Sequence, residues 1–160
     1  MFTREVVAGC VSSPIGNLKL IAYDQYLVAC QPTTESVTSI KHPVLQQTQQ
    51  QLTAYFAHEL QQFTIPLAPR GTLFQRCVWQ ALQDIPYGST TSYTAIAKII
   101  DNPKAARAVG MANKSNPLTI IIPCHRVKPA NGGIGGYAHG QAVKQWLLNH
   151  EANFSFAFSL

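Results

Sequence analysis

The stretch from Thr72 to Asn113 is punctuated for short helices, and no other feature restricts the fold of this chain as strongly. Thr72 can cap a helix, and Gln75 three residues on completes a capping box. Leu73, Phe74, Cys77, Val78, Ala81, Leu82 and Ile85 then recur at helical spacing until Pro86-Tyr87-Gly88 stops the run. Ser92 can cap a second helix, Tyr93 to Ile100. Asn102 with Pro103 at the first helical position starts a third, which continues through Asn113. Helix, a turn of about three residues, helix is the helix-turn-helix layout. Its second helix is thin, because Ala105, Ala106, Ala108, Gly110 and Ala112 carry almost no side chain. Such a backbone can approach a neighbouring helix or a nucleic-acid groove. Lys104 and Arg107 on the same segment favour the groove.

The first part of the chain has a different rhythm. Residues 5–30 read as strands, with a turn at Ser13-Pro14-Ile15-Gly16-Asn17, weak alternation from Leu18 to Ala22 and a further strand at 26–29. Thr33 to His42 reads as loop. Val44 to Glu59 reads as a helix with Leu45, Leu52, Tyr55 and Phe56 on one face and glutamines opposite. Phe63 to Pro69, extended and with two prolines, reads as a linker. These elements predict an α/β domain on a small antiparallel sheet over residues 1–67, followed by a mostly α-helical domain over residues 68–160.

The charge changes at the same place. Up to residue 67 three basic residues face four acidic ones, and from residue 68 on nine face three, so all of the net +5 lies in the second part. A basic domain with a helix-turn-helix layout suits a polyanion, most simply DNA, although a merely solvated basic face has the same composition. A hydrophobic share of 46% with 12% charged residues is enough for a core and excludes a disordered chain. No run of about 18 apolar residues exists, and the first residues lack a signal-peptide layout, so a cytoplasmic protein without membrane contact is expected. Cys10, Cys30, Cys77 and Cys124 form no Cys-x-x-Cys pair and no zinc spacing. Free thiols are expected, with Cys10, Cys30 and Cys77 in the core and no metal bound. Gly133-Ile134-Gly135-Gly136-Tyr137-Ala138 has the spacing of a dinucleotide fingerprint but not its strand–helix context.

The chemistry concentrates in Ile121-Ile122-Pro123-Cys124-His125-Arg126-Val127, which places a thiol beside an imidazole after an apolar run and a proline. A thiol attacks as its thiolate and needs a base, and the base needs a group to orient it. Adjacent side chains on a strand point apart, so His125 would act on Cys124 through a water unless the backbone turns. The only acid after Asp101 is Glu151, which makes it the candidate partner of His125. Arg126 could contact phosphate; an internal ion pair bracing the turn is the expected role. The last helix is expected from Gln141 to Glu151, with Val143, Trp146, Leu147 and His150 on its apolar side.

Pro123-Cys124-His125-Arg126-Val127 resembles the active-site motif of the O6-alkylguanine-DNA alkyltransferases, also called methylated-DNA–protein-cysteine methyltransferases. The resemblance extends over Arg70-Gly71-Thr72, Phe74-Gln75-Arg76, Val78-Trp79, Ile85-Pro86-Tyr87-Gly88 and Ser92-Tyr93. It continues through Arg107-Ala108-Val109-Gly110, Asn113, Asn116-Pro117, Gly136-Tyr137-Ala138, Lys144, Trp146-Leu147-Leu148 and His150-Glu151, and is nearly continuous over residues 70–151. It implies a ribonuclease H-like N-terminal domain and a winged-helix-like helix-turn-helix in the second. It implies a single-turnover DNA repair enzyme that flips O6-alkylguanine from the duplex and moves the alkyl group irreversibly to its own Cys124, with O4-alkylthymine an open second substrate. On that resemblance Cys124 is the acceptor, His125 acts through water, Glu151 orients it, Asn116 supports the turn, and Tyr93 meets the target phosphate and base. Arg107 fills the vacated space in the duplex, and Lys104, Ala105, Ala106, Ala108, Gly110, Ser92 and Tyr93 make the DNA face. Val127, Tyr137, Ala138 and His139 line the pocket. No cofactor is implied, the partner is double-stranded DNA, and a monomer is expected.

Two departures stand out. His139 replaces the glycine usual beside the pocket, where it either narrows the site or faces solvent, and Thr119 replaces a common proline. A non-catalytic protein that only binds alkylated lesions is the alternative, although such proteins carry tryptophan in place of Cys124. A helix-turn-helix regulator and a cysteine hydrolase fit less of the chain.

Overall fold

The structure, a computed structural model, describes residues 5–158, with side chains up to residue 153. It divides into two compact units, the first holding the chain up to Arg70 together with Pro117–Ile121, the second Gly71–Asn116 and the chain from Ile122 on.

The first unit is built on an antiparallel meander of β1 (Val6–Val11), β2 (Leu18–Tyr23) and β3 (Tyr26–Pro32). Alternation in β2 sends Leu18, Leu20 and Ala22 to the core. Gly16 at φ 105° closes the first hairpin, and Asp24 at φ 55° turns the second in the left-handed region that aspartate tolerates. Helix α1 (Pro43–Phe56) covers the sheet with Leu45, Leu52 and Tyr55. His42 caps it, its Nδ1 accepting from the Val44 amide at 3.2 Å. The helix ends three residues before the expected Glu59, because His58 takes φ 61° and breaks the turn.

Residues 63–69 are not a free linker. The outer edge of β3 bonds to them, with the Leu27 amide donating to the Pro66 carbonyl at 2.9 Å and the Ala68 amide to the Leu27 carbonyl at 3.0 Å. Farther along the same edge, the Cys30 amide donates to the Pro117 carbonyl at 2.8 Å and the Thr119 amide to the Cys30 carbonyl at 3.0 Å. These bonds use backbone groups that an open edge strand would leave unpaired.

The second unit contains α2 (Leu73–Leu82), β4 (Thr91–Ser92), α3 (Tyr93–Ile99), α4 (Ala106–Lys114), a 3₁₀ turn at Cys124–Arg126, β5 (Val127–Lys128) and α5 (Gln141–Phe158). The Thr72–Gln75 capping box forms, and Ser92 caps α3 through its hydroxyl to the Ala95 amide at 3.0 Å. Val78, Trp79 and Leu82 of α2 pack in the core with Ile96, Val109, Ile122, Val127 and Leu147. Trp79 satisfies its indole N–H on the Ala112 carbonyl at 2.8 Å. Gly71 is required beside that indole, since a Cβ there would meet the Trp79 ring at 2.5 Å.

Four expectations are corrected here. Helix α2 stops at Leu82 rather than Ile85, because the next amides bond three residues back and tighten the end. Helix α4 begins at Ala106 without a side-chain cap, so Asn102 does not start it and Lys104 and Ala105 precede it. The Asn102 amide is spent on the Ala97 carbonyl at 2.9 Å, and its own carbonyl accepts from Ala105 at 3.0 Å in a separate turn. Cys77 is exposed, since the buried face of α2 carries Val78, Trp79, Ala81 and Leu82. Helix α5 continues beyond Glu151 to Phe158, with no glycine or proline to stop it. Among the described residues no helix is long and apolar enough to cross a membrane.

Candidate active site

Cys124 opens the 3₁₀ turn, with its amide on the Ile122 carbonyl at 2.8 Å and the Arg126 amide on the Pro123 carbonyl at 3.0 Å. The backbone therefore turns where a strand would have sent Cys124 and His125 to opposite faces. The thiol residue is 4% exposed and His125 is fully buried. His125 Nε2 lies 2.7 Å from Glu151 Oε2. Arg126 binds the same carboxylate with both forks, Nε to Oε1 at 2.8 Å and Nη2 to Oε2 at 3.0 Å, and gives Nη1 to the Ile85 carbonyl at 2.7 Å. The Gly88 amide adds a 3.3 Å bond to Oε1. The guanidinium also stands over the Tyr87 ring, 5.6 Å from its centre. Arg126 is thus engaged internally rather than presented to a phosphate.

The charges follow from this packing. Burial alone would raise the Glu151 carboxyl, but His125 and Arg126 outweigh it and hold the group well below the usual carboxylate range. Burial pushes the His125 imidazole down, against the pull of Glu151. A neutral ring with its proton on Nε2 suits the carboxylate, and it leaves the Nδ1 lone pair as an acceptor. That atom is buried and has no hydrogen-bond partner among the described residues. Burial raises the Cys124 thiol, while Asn116, Tyr137 and the Lys144 ammonium pull the other way.

Two asparagines and a lysine hold the turn. Asn116 donates to the Ile122 carbonyl at 2.8 Å and Asn113 to the Cys124 carbonyl at 3.1 Å. Lys144 is fully buried, and its Nζ donates to the Val127 carbonyl at 2.7 Å and reaches the Gly136 carbonyl at 3.4 Å. Burial brings its pKa down to about 8. Neither Lys144 nor Asn113 stood out as a site residue beyond the resemblance. The signal for Lys144 was its spacing, since 144, 147 and 151 share one face of α5. That face is the buried one, and Trp146, placed there by hydropathy, is 37% exposed and stacks on His150 with ring centres 5.0 Å apart.

Tyr137 brings its hydroxyl to 4.0 Å from Cys124 Sγ. The half-buried His139 packs edge-on against the Tyr137 ring at 5.5 Å. Ala138 beside it is exposed, and Val127 is fully buried. Gly135 takes φ 75°, and a Cβ there would strike Pro129 at 2.7 Å, so this loop position excludes a side chain on two counts.

Tyr93, the first residue of α3, is half-buried, and the Cys124 charge contributes to raising its phenol after burial. Helix α4 is packed against the core on one side and exposed on the other. Gly110 lies beside the Tyr93 ring, which a Cβ there would touch at an ordinary 3.9 Å, and Ala112 is buried. Arg107, Ala108 and Met111 are exposed, as is Lys104 before the helix, while Ala105 and Ala106 are partly covered. Ser92 has its hydroxyl committed to the α3 cap. No group of three or more His, Cys, Asp or Glu among the described residues is placed to hold a metal ion.

Comparison with known proteins gives one consistent result. The family profile described as "6-O-methylguanine DNA methyltransferase, DNA binding domain" matches residues 73–153, and that described as "6-O-methylguanine DNA methyltransferase, ribonuclease-like domain" matches residues 6–69. A methylated-DNA–protein-cysteine methyltransferase of Methanosarcina acetivorans is 58% identical over 64% of this chain, and the match spans 66% of that protein. The one of Mycolicibacterium paratuberculosis is 45% identical over 91% of this chain and 92% of its own length. Among solved structures, that of Mycobacterium tuberculosis OGT in complex with DNA has a TM-score of 0.82 at 45% identity, covering 91% of this chain and 92% of that one.

Proposed function

Because the chain belongs to the 6-O-methylguanine DNA methyltransferase family, we propose that it is a methylated-DNA–protein-cysteine S-methyltransferase that repairs O6-alkylguanine by transferring the alkyl group to Cys124. One observation carries this reading beyond family membership. The buried thiol is followed directly by an imidazole whose Nε2 is committed to Glu151 and whose Nδ1 is an unpaired buried acceptor. That is the arrangement a base needs to draw a proton from the thiol, directly or through one water.

In this reaction Sγ forms a bond to the alkyl carbon as the bond from carbon to O6 breaks. The electron pair goes to the guanine, which takes up a proton equivalent to the one that the thiol gives up through His125. Tyr137 and the Lys144 ammonium favour the thiolate, and Asn116 and Asn113 hold the turn. The product is a thioether that nothing regenerates, so each molecule works once. The modified oxygen cannot be approached in line within the base stack, so the nucleotide is flipped. Exposed Arg107, Ala108 and Lys104, with the partly covered Ala105 and Ala106, would form the minor-groove face, and Tyr93, beside Gly110 of α4, would meet the target nucleotide. The pocket is walled by Val127, Tyr137, Ala138 and His139.

The test is the intact mass and peptide masses of the protein after incubation with duplex DNA carrying one O6-methylguanine. One methyl group gained on the Cys124 peptide, and absent in Cys124→Ala, is the expected outcome. Tight binding to the lesion with no gain in mass would assign the protein to the lesion-binding class instead.

A further inference from the structure

Arg107, Met111 and Lys114 recur at helical spacing on one side of α4, and all three are exposed. An exposed lysine ordinarily extends its stem into water. Lys114, the last residue of the helix, instead lays its stem across Gly136, with Cε and Nζ 3.3 and 3.4 Å from where a Cβ would stand. Gly136 does not take a positive φ, so its backbone demands no glycine. The close lysine is what the missing side chain accommodates. Gly136 is also held from the interior, where its carbonyl lies 3.4 Å from the Nζ of buried Lys144. The next residue is Tyr137, whose hydroxyl comes to 4.0 Å from Cys124 Sγ. Among the described residues the ion pairs are those of Lys19 with Glu35 and of Glu151 with His125 and Arg126, so the Lys114 ammonium has no carboxylate of its own.

Resting on the reading above, we propose that Lys114 is a positioning residue that couples the docked duplex to the reacting thiol. Its ammonium takes a phosphate of the bound DNA, and its stem then holds the Gly136–Tyr137 segment in place beside Cys124. A phosphate is the anion that a groove-facing helix meets, and lysine binds it as a point charge without a fixed fork. Before DNA arrives only the near end of the arm is fixed, and the stem retains its rotamer freedom. Once the far end is pinned on a phosphate, the same stem is a fixed support for Gly136. Tyr137 is the residue that benefits, because its hydroxyl favours the Cys124 thiolate. The line from DNA to sulfur therefore runs through Lys114, Gly136 and Tyr137.

The experiment measures single-turnover methyl transfer to Cys124 from a duplex carrying one O6-methylguanine, over rising protein concentration. Each curve gives a half-saturating concentration and a limiting rate. Wild type is compared with Lys114→Ala, Gly136→Ala and the double variant. Lys114→Ala should raise the half-saturating concentration and also lower the limiting rate by roughly tenfold, the scale of a coupled neighbouring pair. Gly136→Ala keeps the charge but displaces the stem, and it should lower the limiting rate to a similar extent. Because both changes break one contact, the double variant should be no slower than the slower single one. A limiting rate in Lys114→Ala equal to that of wild type, with only half-saturation altered, would overturn the proposal and leave Lys114 a plain phosphate contact. So would losses that multiply in the double variant, which would make the two residues independent. Failure of the underlying reading looks different, since wild-type protein would then leave Cys124 unmethylated at every concentration.

Discussion

Glu151 and His125 are joined by a 2.7 Å contact in a site where neither residue is more than 1% exposed. The carboxylate does two jobs there. It fixes the imidazole so that Nδ1 is left as the acceptor, and it neutralises the Arg126 fork that ties the acceptor turn to the Ile85 carbonyl.

Replacing Glu151 by Gln keeps the shape and removes the charge. Arg126 would then be a buried cation without a counter-ion, a loss of about 3–5 kcal/mol, and the melting temperature should fall by roughly 10 °C or more. The pH dependence should change as well. Glu151 titrates far below an ordinary carboxylate in the folded state. Its contribution is complete above the unfolded value of about 4.3 and is lost as pH falls through the folded one. Thermal melts from pH 6 to 2.5 should show wild-type stability falling below about pH 4.3, with a flatter curve for Glu151→Gln over that interval.

Lys144 offers a test of opposite sign. Burial lowers its pKa from 10.5 to about 8, so between these values the unfolded chain binds a proton that the folded one does not. Stability relative to Lys144→Met should therefore rise with pH across that window, as read by denaturant titration. The same substitution removes a cation that favours the Cys124 thiolate. It should slow alkylation of Cys124 near neutral pH and shift the pH–rate profile for iodoacetamide to higher pH.

His139 stands against the Tyr137 ring, and in the proposed pocket its bulk would narrow the space for a large O6 substituent. His139→Gly should raise the rate with O6-benzylguanine relative to O6-methylguanine by roughly tenfold, the scale of a hydrophobic pocket enlarged by a few carbon atoms. Competition between the two substrates, read by mass on Cys124, measures the ratio directly.

Arg107 is exposed on α4, so its loss should leave the thiol site intact while weakening the grip on DNA. Arg107→Ala should reduce the salt dependence of duplex binding by about one counter-ion if the side chain neutralises a phosphate. Reaction with the free base O6-methylguanine should be unchanged, which separates binding from chemistry.

Local signals were the most legible in the sequence. Thr72 with Gln75 and Ser92 form their caps where the pattern puts them, because a cap depends on three or four neighbouring residues. Alternation likewise placed Leu18, Leu20 and Ala22 inward. The misreadings all have distant causes. Asn102 fails as a cap because the chain makes a separate turn there, closed by the Ala105 amide on the Asn102 carbonyl, and α4 begins only at Ala106. Residues 63–69 look like a linker until β3 lends them its edge. Trp146 and Lys144 exchange places between surface and interior because two carbonyls, at Val127 and Gly136, await the ammonium. Hydropathy cannot register acceptors contributed by a loop elsewhere in the chain. Within the site, the Cys-His-Arg motif was visible at once, whereas the unpaired Nδ1 of His125 is a property of three-dimensional surroundings.

The short parallel pairing of Thr91 with Val127 and of Ser92 with Lys128 bears on how this protein could be re-engineered. One strand of that ladder runs straight into the cap of α3, and the other leaves directly from the acceptor turn. The helix-turn-helix is therefore not a cassette. A chimaera that imported residues 91–116 from a different DNA reader would also have to import a matching rung at 127–128, or the transplanted helices would arrive out of register with the thiol.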